Sequence, residues 1–407
     1  MSNRKQALHV IKRLRKQGFE ALLAGGCVRD RLLSRTANDY DVVTDAVPQQ
    51  VISLFRRTLK VGVQFGVVMV LLDDKQVEVA TFRTEGGYSD GRRPDHVEFA
   101  SARQDAARRD FTVNGMFYDP FKDVIYDFVD GQTDLQAQIL RTIGDPDQRF
   151  SEDYLRMLRA VRFAVKLDFT IEPATWRSIQ AHADKITRIS SERIAAELED
   201  ILTHPRRCRG AELLMTSGLA GVIFPDIAES AAQTALDVLE GLPCAVDFAL
   251  AMSAFCVGLK TAAALAHCRG LKLSNATLKH IGFLLDHRDA LCEVEMPLSR
   301  LKRLMHEPYF DNLMTLQRAI QKARGKSLRP LITLKHRAAA IDPAAVHPAP
   351  LLDGHELLAL GAAPGPQVGT LAKELYTAQL EDRLTTPKQA RTWVTEWLDA
   401  HKSTDTL

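Results

Sequence analysis

A short apolar run, Ala21-Leu22-Leu23-Ala24, breaks off at the doublet Gly25-Gly26 and is followed by Cys27 to Ser34, a segment that reads as a helix. A strand that turns into a helix through glycine aims the first backbone amides of that helix at one point, which suits a phosphate. The next apolar run, Val42-Val43, is opened by Asp41, with Asp39 two residues earlier. Residues i and i+2 of a strand share a face, so these carboxylates would stand side by side and repel each other unless a cation lies between them. Mg²⁺ is the hard divalent ion that takes one or two protein carboxylates and completes its shell with water and phosphate oxygens. Strand, glycine turn, helix and acidic strand therefore predict a compact site for a triphosphate and its metal.

An isolated Asp-x-Asp is most often a solvated turn, so its companions matter. Gln76 to Arg83 alternates as a strand does, with Val77 and Val79 on one face and Glu78 on the other, which makes Glu78 a candidate third carboxylate. Residues 105–114, DAARRDFTVN, bring two adjacent arginines. Residues 152–162, EDYLRMLRAVR, predict a helix on which Asp153, Arg156, Arg159 and Arg162 recur at intervals of three, a slowly rotating polar stripe.

GGCVRD, DYDVVT, RRDFTVN and EDYLRMLRAVRF, in that order, resemble the motif set of the class II tRNA nucleotidyltransferase (CCA-adding) and bacterial poly(A) polymerase family. The resemblance extends over roughly residues 20–230. It implies an α+β fold, with a polymerase-β-like nucleotidyltransferase head followed by an all-helical neck, body and tail. It also implies addition of nucleotides to an RNA 3′ end without a nucleic-acid template. Position by position, Asp39 and Asp41 correspond to the metal ligands and Glu78 to the third acidic group. Gly25 and Gly26 lie in the glycine motif, where Gly26 and Arg29 match triphosphate contacts. Arg109 matches a nucleotide contact, and Asn114 a support of the incoming sugar. Asp153 and Arg156 match the pair that reads the base edge, while Arg159 and Arg162 match further nucleotide-binding arginines.

These residue types suit that chemistry. Metal ions held by neighbouring carboxylates activate a hydroxyl for in-line attack and neutralise a pyrophosphate leaving group, while arginines clamp the equatorial charge. A carboxylate accepts from an exocyclic amino group, which C and A carry where U and G carry a carbonyl. U and G would leave polar groups unpaired, at about 1–3 kcal/mol each. The stretch VGVQFGVVMV and the tail segment DGHELLALGAAPGPQVGTLAKELYTAQLEDRLTT resemble the CCA-adding branch. The polar loop 84–98 has the full length expected of members that add the terminal A. The expectation is a CCA-adding enzyme using CTP, ATP and Mg²⁺ on tRNA. The alternatives are a poly(A) polymerase, an enzyme adding only A, and a catalytically silent RNA-binding protein. Pro366 to Gly369, opening a tail helix, is a candidate RNA-phosphate contact.

A chain of 407 residues has room for several domains. The expected boundaries are 1–140 for the head, 141–230 for the neck, 231–340 for the body and 341–407 for the tail. A net charge of +2 gives no global argument for an RNA partner. Local basic clusters stand at 204–209 and 322–337, and clusters of this size are more often solvated helix ends than nucleic-acid sites. Six cysteines without CxxC spacing read as free thiols in a reducing compartment. With no run of about 20 apolar residues to span a membrane, the expected location is the cytoplasm. Oligomeric state is not legible.

Overall fold

The computed structural model describes residues 3–60, 62–72, 75–86, 96–227, 229–293 and 295–401. They form two compact units, Met1–Ala232 with Ala262–Leu273, and Gln233–Thr261 with Ser274–Leu407.

The first unit opens with α1 (Asn3–Lys16), where Ala7, Val10, Ile11 and Leu14 are fully buried on one face. Burial of Val10, Ile11 and Leu14 contributes at most about 1.5–3 kcal/mol each. There follow β1 (Ala21–Ala24), α2 (Gly26–Leu32), β2 (Asp41–Thr44), α3 (Pro48–Leu54), β3 (Thr58–Leu59), β4 (Val67–Leu72), β5 (Lys75–Thr81), β6 (Arg83–Gly86), β7 (His96–Phe99), α4 (Ala102–Ala107), β8 (Phe117–Asp119) and β9 (Val124–Tyr126). Seven of the strands make one sheet in the order β3-β4-β5-β2-β1-β8-β9. Every pairing in it is antiparallel except β2 with β5. Leu22, Ala24 and Val43 pack with Phe82, Phe117 and the α4 alanines 102 and 106. The registers position the acidic groups: Asp41 lies opposite Ala24 on β1, and Val42 opposite Val79 on β5, so Asp41 and Glu78 are neighbours across a parallel pair. β6 and β7 form a separate ribbon. Of the polar loop 84–98, the stretch 87–95 lies outside the described residues.

Beyond β9 the unit is helical: α5 (Gly131–Ala137), α6 (Pro146–Glu152), α7 (Leu155–Leu167), α8 (Pro173–His182) and α9 (Ser191–Leu202). The strands there are β10 (Ile139–Leu140) and β11 (Thr170–Ile171), a two-residue parallel pair. The α+β architecture expected from the sequence is thus observed. The continuous helix expected over 152–162 is not. α6 stops at Glu152, Asp153 is extended at φ −153° and ψ 101°, and its Oδ1 accepts the Leu155 N–H at 3.0 Å. A short polar side chain competing for a backbone donor breaks the helix there. Ser190 precedes α9, and its side chain makes no capping bond.

The basic cluster 204–209 is consumed internally. Arg206 donates to Val165 O at 3.1 Å, Arg207 to Leu202 O at 3.0 Å and Arg209 to Phe169 O at 2.7 Å. Residues 262–273, inside the stretch expected as body, return to the first unit, where His267 meets Asp226 at 2.7 Å and Lys272 meets Glu192 at 2.7 Å.

The second unit is helical among its described residues. The helix Phe248–Phe255 is buried from Ala249 to Phe255. In the tail, Gly354–Ala359, Pro366–Leu380 and Pro387–His401 enclose Leu357, Leu371, Leu375, Ala390, Val394 and Leu398. A short helix, Pro343–Val346, capped by Asp342, precedes them. No described helix is long and apolar enough to cross a membrane.

Candidate active site

The first unit contains an open cavity of about 940 Å³, lined by every residue that the sequence pointed to for metal or nucleotide: Gly25, Gly26, Arg29, Asp39, Asp41, Glu78, Arg109, Asn114, Asp153, Arg156, Arg159 and Arg162. Gly25 sits between β1 and α2 at φ 70° and ψ −132°, a conformation that only glycine adopts without strain. It leads the chain into α2 with its first amides uncovered by any capping side chain.

Asp41 begins β2, whereas Asp39 lies just before the strand. Asp39 reaches the cavity from the approach to β2, not from a strand face shared with Asp41. Asp41 faces the water of the cavity while protein surrounds it on the other sides. That partial burial, reinforced by the charges of Glu78 and Asp39 and opposed by Arg109, raises its pKa to about 6. Among the described residues no group of three or more His, Cys, Asp or Glu side chains is gathered tightly enough to hold a metal. The adjacent Cys27 is no nucleophile, since burial, and secondarily Asp41, pushes its thiol up to about 12.

The arginines are each tethered from behind. Arg109 uses Nε and Nη2 on Asp105, at 3.1 and 3.0 Å. Its Nη1 approaches the glycine turn, 3.5 Å from where a Cβ on Gly25 would stand. Asp105 also takes Arg108 at 2.7 Å. Burial alone would raise its carboxyl, but the two guanidiniums outweigh that and hold it below the usual range. Arg29 is nearly fully buried and donates to Asn114 Oδ1 at 2.6 Å and Asp30 Oδ1 at 2.7 Å. Asn114 in turn donates to Asp110 Oδ1 at 3.2 Å, and Arg159 places Nε and Nη2 on Asp110 Oδ2 at 3.0 and 2.6 Å. Arg162 donates to Glu197 at 2.6 Å. Three guanidiniums, those of Arg29, Arg159 and Arg162, lie 5.5, 5.3 and 4.4 Å from the centroid of the Phe163 ring, a favourable cation–π environment.

The side chains of Asp153 and Arg156 each have a partner of their own. Asp153 is held by Arg193 at 2.6 Å, and Arg156 by Glu152 and by Arg149 O, the latter at 2.7 Å. The supporting residues Asp105, Asp110, Glu152, Arg193 and Glu197 were not singled out from the sequence. A signal existed for some of them: Asp105 precedes Arg109, and Glu152 precedes Arg156, by the four residues that bring opposite charges together on a helix.

A mixed sheet with a glycine turn, neighbouring carboxylates and a tethered arginine cluster defines a nucleotidyltransferase head. Residues 21–141 match the Poly A polymerase head domain family, and residues 168–230 the family described as probable RNA and SrmB-binding site of polymerase A. A CCA-adding enzyme of Enterococcus faecalis is 45% identical over 207 residues, an alignment that spans about half of either chain, 51%. One from Lactobacillus gasseri is 34% identical over 396 residues, 96% of each chain. The solved CCA-adding enzyme of Bacillus stearothermophilus in complex with CTP superimposes with a TM-score of 0.79 over 98% of each chain, at 27% identity. The chain belongs to the CCA-adding enzyme family.

Proposed function

We propose that this chain adds C and A to the 3′ end of tRNA from CTP and ATP, releasing pyrophosphate, without a nucleic-acid template. The observation that carries this reading is the convergence on one cavity of the Asp39–Asp41–Glu78 wall, the Gly25 turn with Arg29 and Arg109, and the pair Asp153 and Arg156. Asp39 and Asp41 would hold Mg²⁺. The setting of Asp41 supports this: burial first, then the charges of Glu78 and Asp39, only partly offset by Arg109, disfavour its bare carboxylate, which a cation would relieve, and two carboxylates with phosphate and water oxygens suit magnesium. Divalent ions there activate the RNA 3′-hydroxyl and neutralise the leaving pyrophosphate.

Arg29 and Arg109 orient the triphosphate at the glycine turn, and Asn114, fixed by Arg29 and Asp110, supports the sugar. Asp153 accepts from the exocyclic amino group of C or A while Arg156 donates to the base edge. Glu78 completes the acidic wall. Arg159 and Arg162 extend the cationic surface along α7. The six free cysteines support a reducing compartment, the cytoplasm.

The test is incubation of the purified chain with tRNA ending before CCA, with CTP and ATP singly and together. Ordered C, C and A incorporation is expected, abolished by chelator. Asp41→Asn should lower it by at least about 10²-fold while tRNA binding persists. Homopolymer tails on unrelated RNA would refute the tRNA reading, and an active Asp41→Asn would refute the metal assignment.

A further inference from the structure

We infer that Arg193 is a positioning residue for base choice, acting through Asp153; this rests on the proposed addition of C and A. Asp153 lies in the break between α6 and α7, with an extended backbone, so no helix fixes its side chain. Two elements do. The Leu155 N–H donates to Oδ1 at 3.0 Å, and the guanidinium of Arg193, from the first turn of α9, donates Nη1 to Oδ1 at 3.3 Å and Nη2 to Oδ2 at 2.6 Å. Both side chains are largely withdrawn from water, 22% exposed for Arg193 and 13% for Asp153. One turn along α9, Glu197 binds Arg162 of α7 at 2.6 Å. α9 thus presents a cation and then an anion to partners of opposite sign, which sets the rotation of the polar stripe.

The acceptor count gives the fork its meaning. An ionised carboxylate offers about four lone-pair sites. Leu155 and Arg193 Nη1 use those of Oδ1, and Arg193 Nη2 uses one of Oδ2. A single acceptor remains, in a fixed direction, enough for one hydrogen of an exocyclic amino group. U and G also carry a donor on the same edge, the ring N–H beside their carbonyl. A carboxylate free to rotate could accept from that ring N–H; one pinned by a planar guanidinium cannot turn to follow it. Arg193 therefore helps Asp153 to reject U and G through the direction it gives that carboxylate. A lysine would keep the charge and lose the fork.

The experiment compares kcat/KM for CTP and UTP on tRNA ending before CCA, for the unsubstituted chain, Arg193→Met, Arg193→Lys and Arg209→Met, with Tm measured for each. Arg209 is the control, a neck arginine that binds Phe169 O at 2.7 Å and the carboxylate of Asp168. Arg193→Met should lower the CTP-to-UTP ratio about 10- to 100-fold, the range typical of losing a partner that orients a ligating side chain. Arg193→Lys should fall between, and Arg209→Met should lose stability with the ratio unchanged. If Arg193→Met does not fold, the reduced ratio of Arg193→Lys carries the test. An unchanged ratio, with turnover lowered equally for both nucleotides, overturns the inference while leaving the proposed activity intact. An unsubstituted chain that incorporates neither nucleotide overturns both.

Discussion

Asp110 joins two of the cavity's side chains, Asn114 and Arg159, and replacing it with asparagine isolates its charge. Its Oδ2 takes two bonds from Arg159, and its Oδ1 takes the Phe111 N–H at 2.8 Å and Asn114 Nδ2 at 3.2 Å. Asparagine keeps one acceptor oxygen and replaces the other with an amino group, so a donor must face either Arg159 or the Phe111 and Asn114 donors. Removing one partner of a buried pair costs about 3–5 kcal/mol. Here the Asp110 side chain is 11% exposed but that of Arg159 is 33% exposed, so solvent screening brings the expectation to about 2–3 kcal/mol. That corresponds to a Tm lower by about 5–10 °C in a unit of this size. The pH dependence follows from the sign of the shift. Burial would raise the Asp110 carboxyl, but Arg159 and the accepted hydrogen bonds lower it on balance. A depressed folded-state pKa gives a contribution fully present above the unfolded value of about 3.9 and lost only as pH falls through the folded value. Urea and thermal unfolding from pH 5.5 to 8 should therefore show a constant penalty for Asp110→Asn. CTP incorporation should fall about 10- to 100-fold as Asn114 and Arg159 lose registration. A Tm within 1 °C of the unsubstituted chain, or a penalty that varies across that pH window, would refute the reasoning.

Gly25→Ala forces a Cβ into φ 70°, ψ −132° at about 1–3 kcal/mol of strain, although its nearest neighbour, Arg109 Nη1, is a tolerable 3.5 Å away. Gly26→Ala has no positive φ to oppose it and meets Arg29 Nη2 at 3.6 Å, so KM for CTP should rise sharply for the first and little for the second. Equal effects would show that space rather than backbone geometry governs the turn. In the second unit, Lys302 is 2% exposed and bonds Asp382, 63% exposed, at 2.8 Å. Lys302→Met leaves only a solvated carboxylate and should change stability by less than about 1 kcal/mol. Asp382→Asn, tolerated at its φ of 58°, strands a buried ammonium and should cost about 2–3 kcal/mol in urea unfolding. The reverse order would contradict the assignment of burial.

Local pattern carried the head and the chemistry-bearing residues into view, because they depend on short spacings. The run at 21–24, the glycine doublet and the alternation around Glu78 appear as β1, the turn into α2 and β5, each within a few residues of its expected bounds. Asp39 reaches the cavity from the approach to β2 and Asp41 from its first residue, so sequence alternation reached the right neighbourhood for a different geometrical reason. What escaped was set by distant packing. Nothing near Asp153 announces Arg193, separated by 40 residues, and nothing near Arg159 announces its partner Asp110, 49 residues away. The helix break at Asp153 was hidden because Glu152 to Arg162 has good helical composition; a single side chain capping Leu155 overrides it. The return of 262–273 to the first unit likewise rests on tertiary contacts that helical periodicity does not encode.

The tethering of the arginines that line the cavity bears on the metal proposed for it. Ten of its described lining residues are Arg or Lys and six are Asp or Glu. Three further carboxylates, Asp105, Glu152 and Glu197, bind those arginines. Ten cations thus face nine anions, and the site is close to neutral before substrate enters. The resident carboxylates fix guanidinium directions in advance, so a nucleotide need not order long side chains as it binds. The same arrangement spends most of the positive charge inside the protein, and a triphosphate arriving with several negative charges meets arginines already partly neutralised. Near-neutrality therefore makes divalent cations on the Asp39–Asp41 wall the remaining source of compensation. If the arginines alone sufficed, CTP would bind equally well with and without magnesium, and charge-neutral replacement of Asp105 would tighten that binding by freeing Arg109. The architecture argues for the opposite: CTP affinity should depend strongly on the divalent ion, and Asp105→Asn, which releases Arg109 from its fixed direction, should weaken binding.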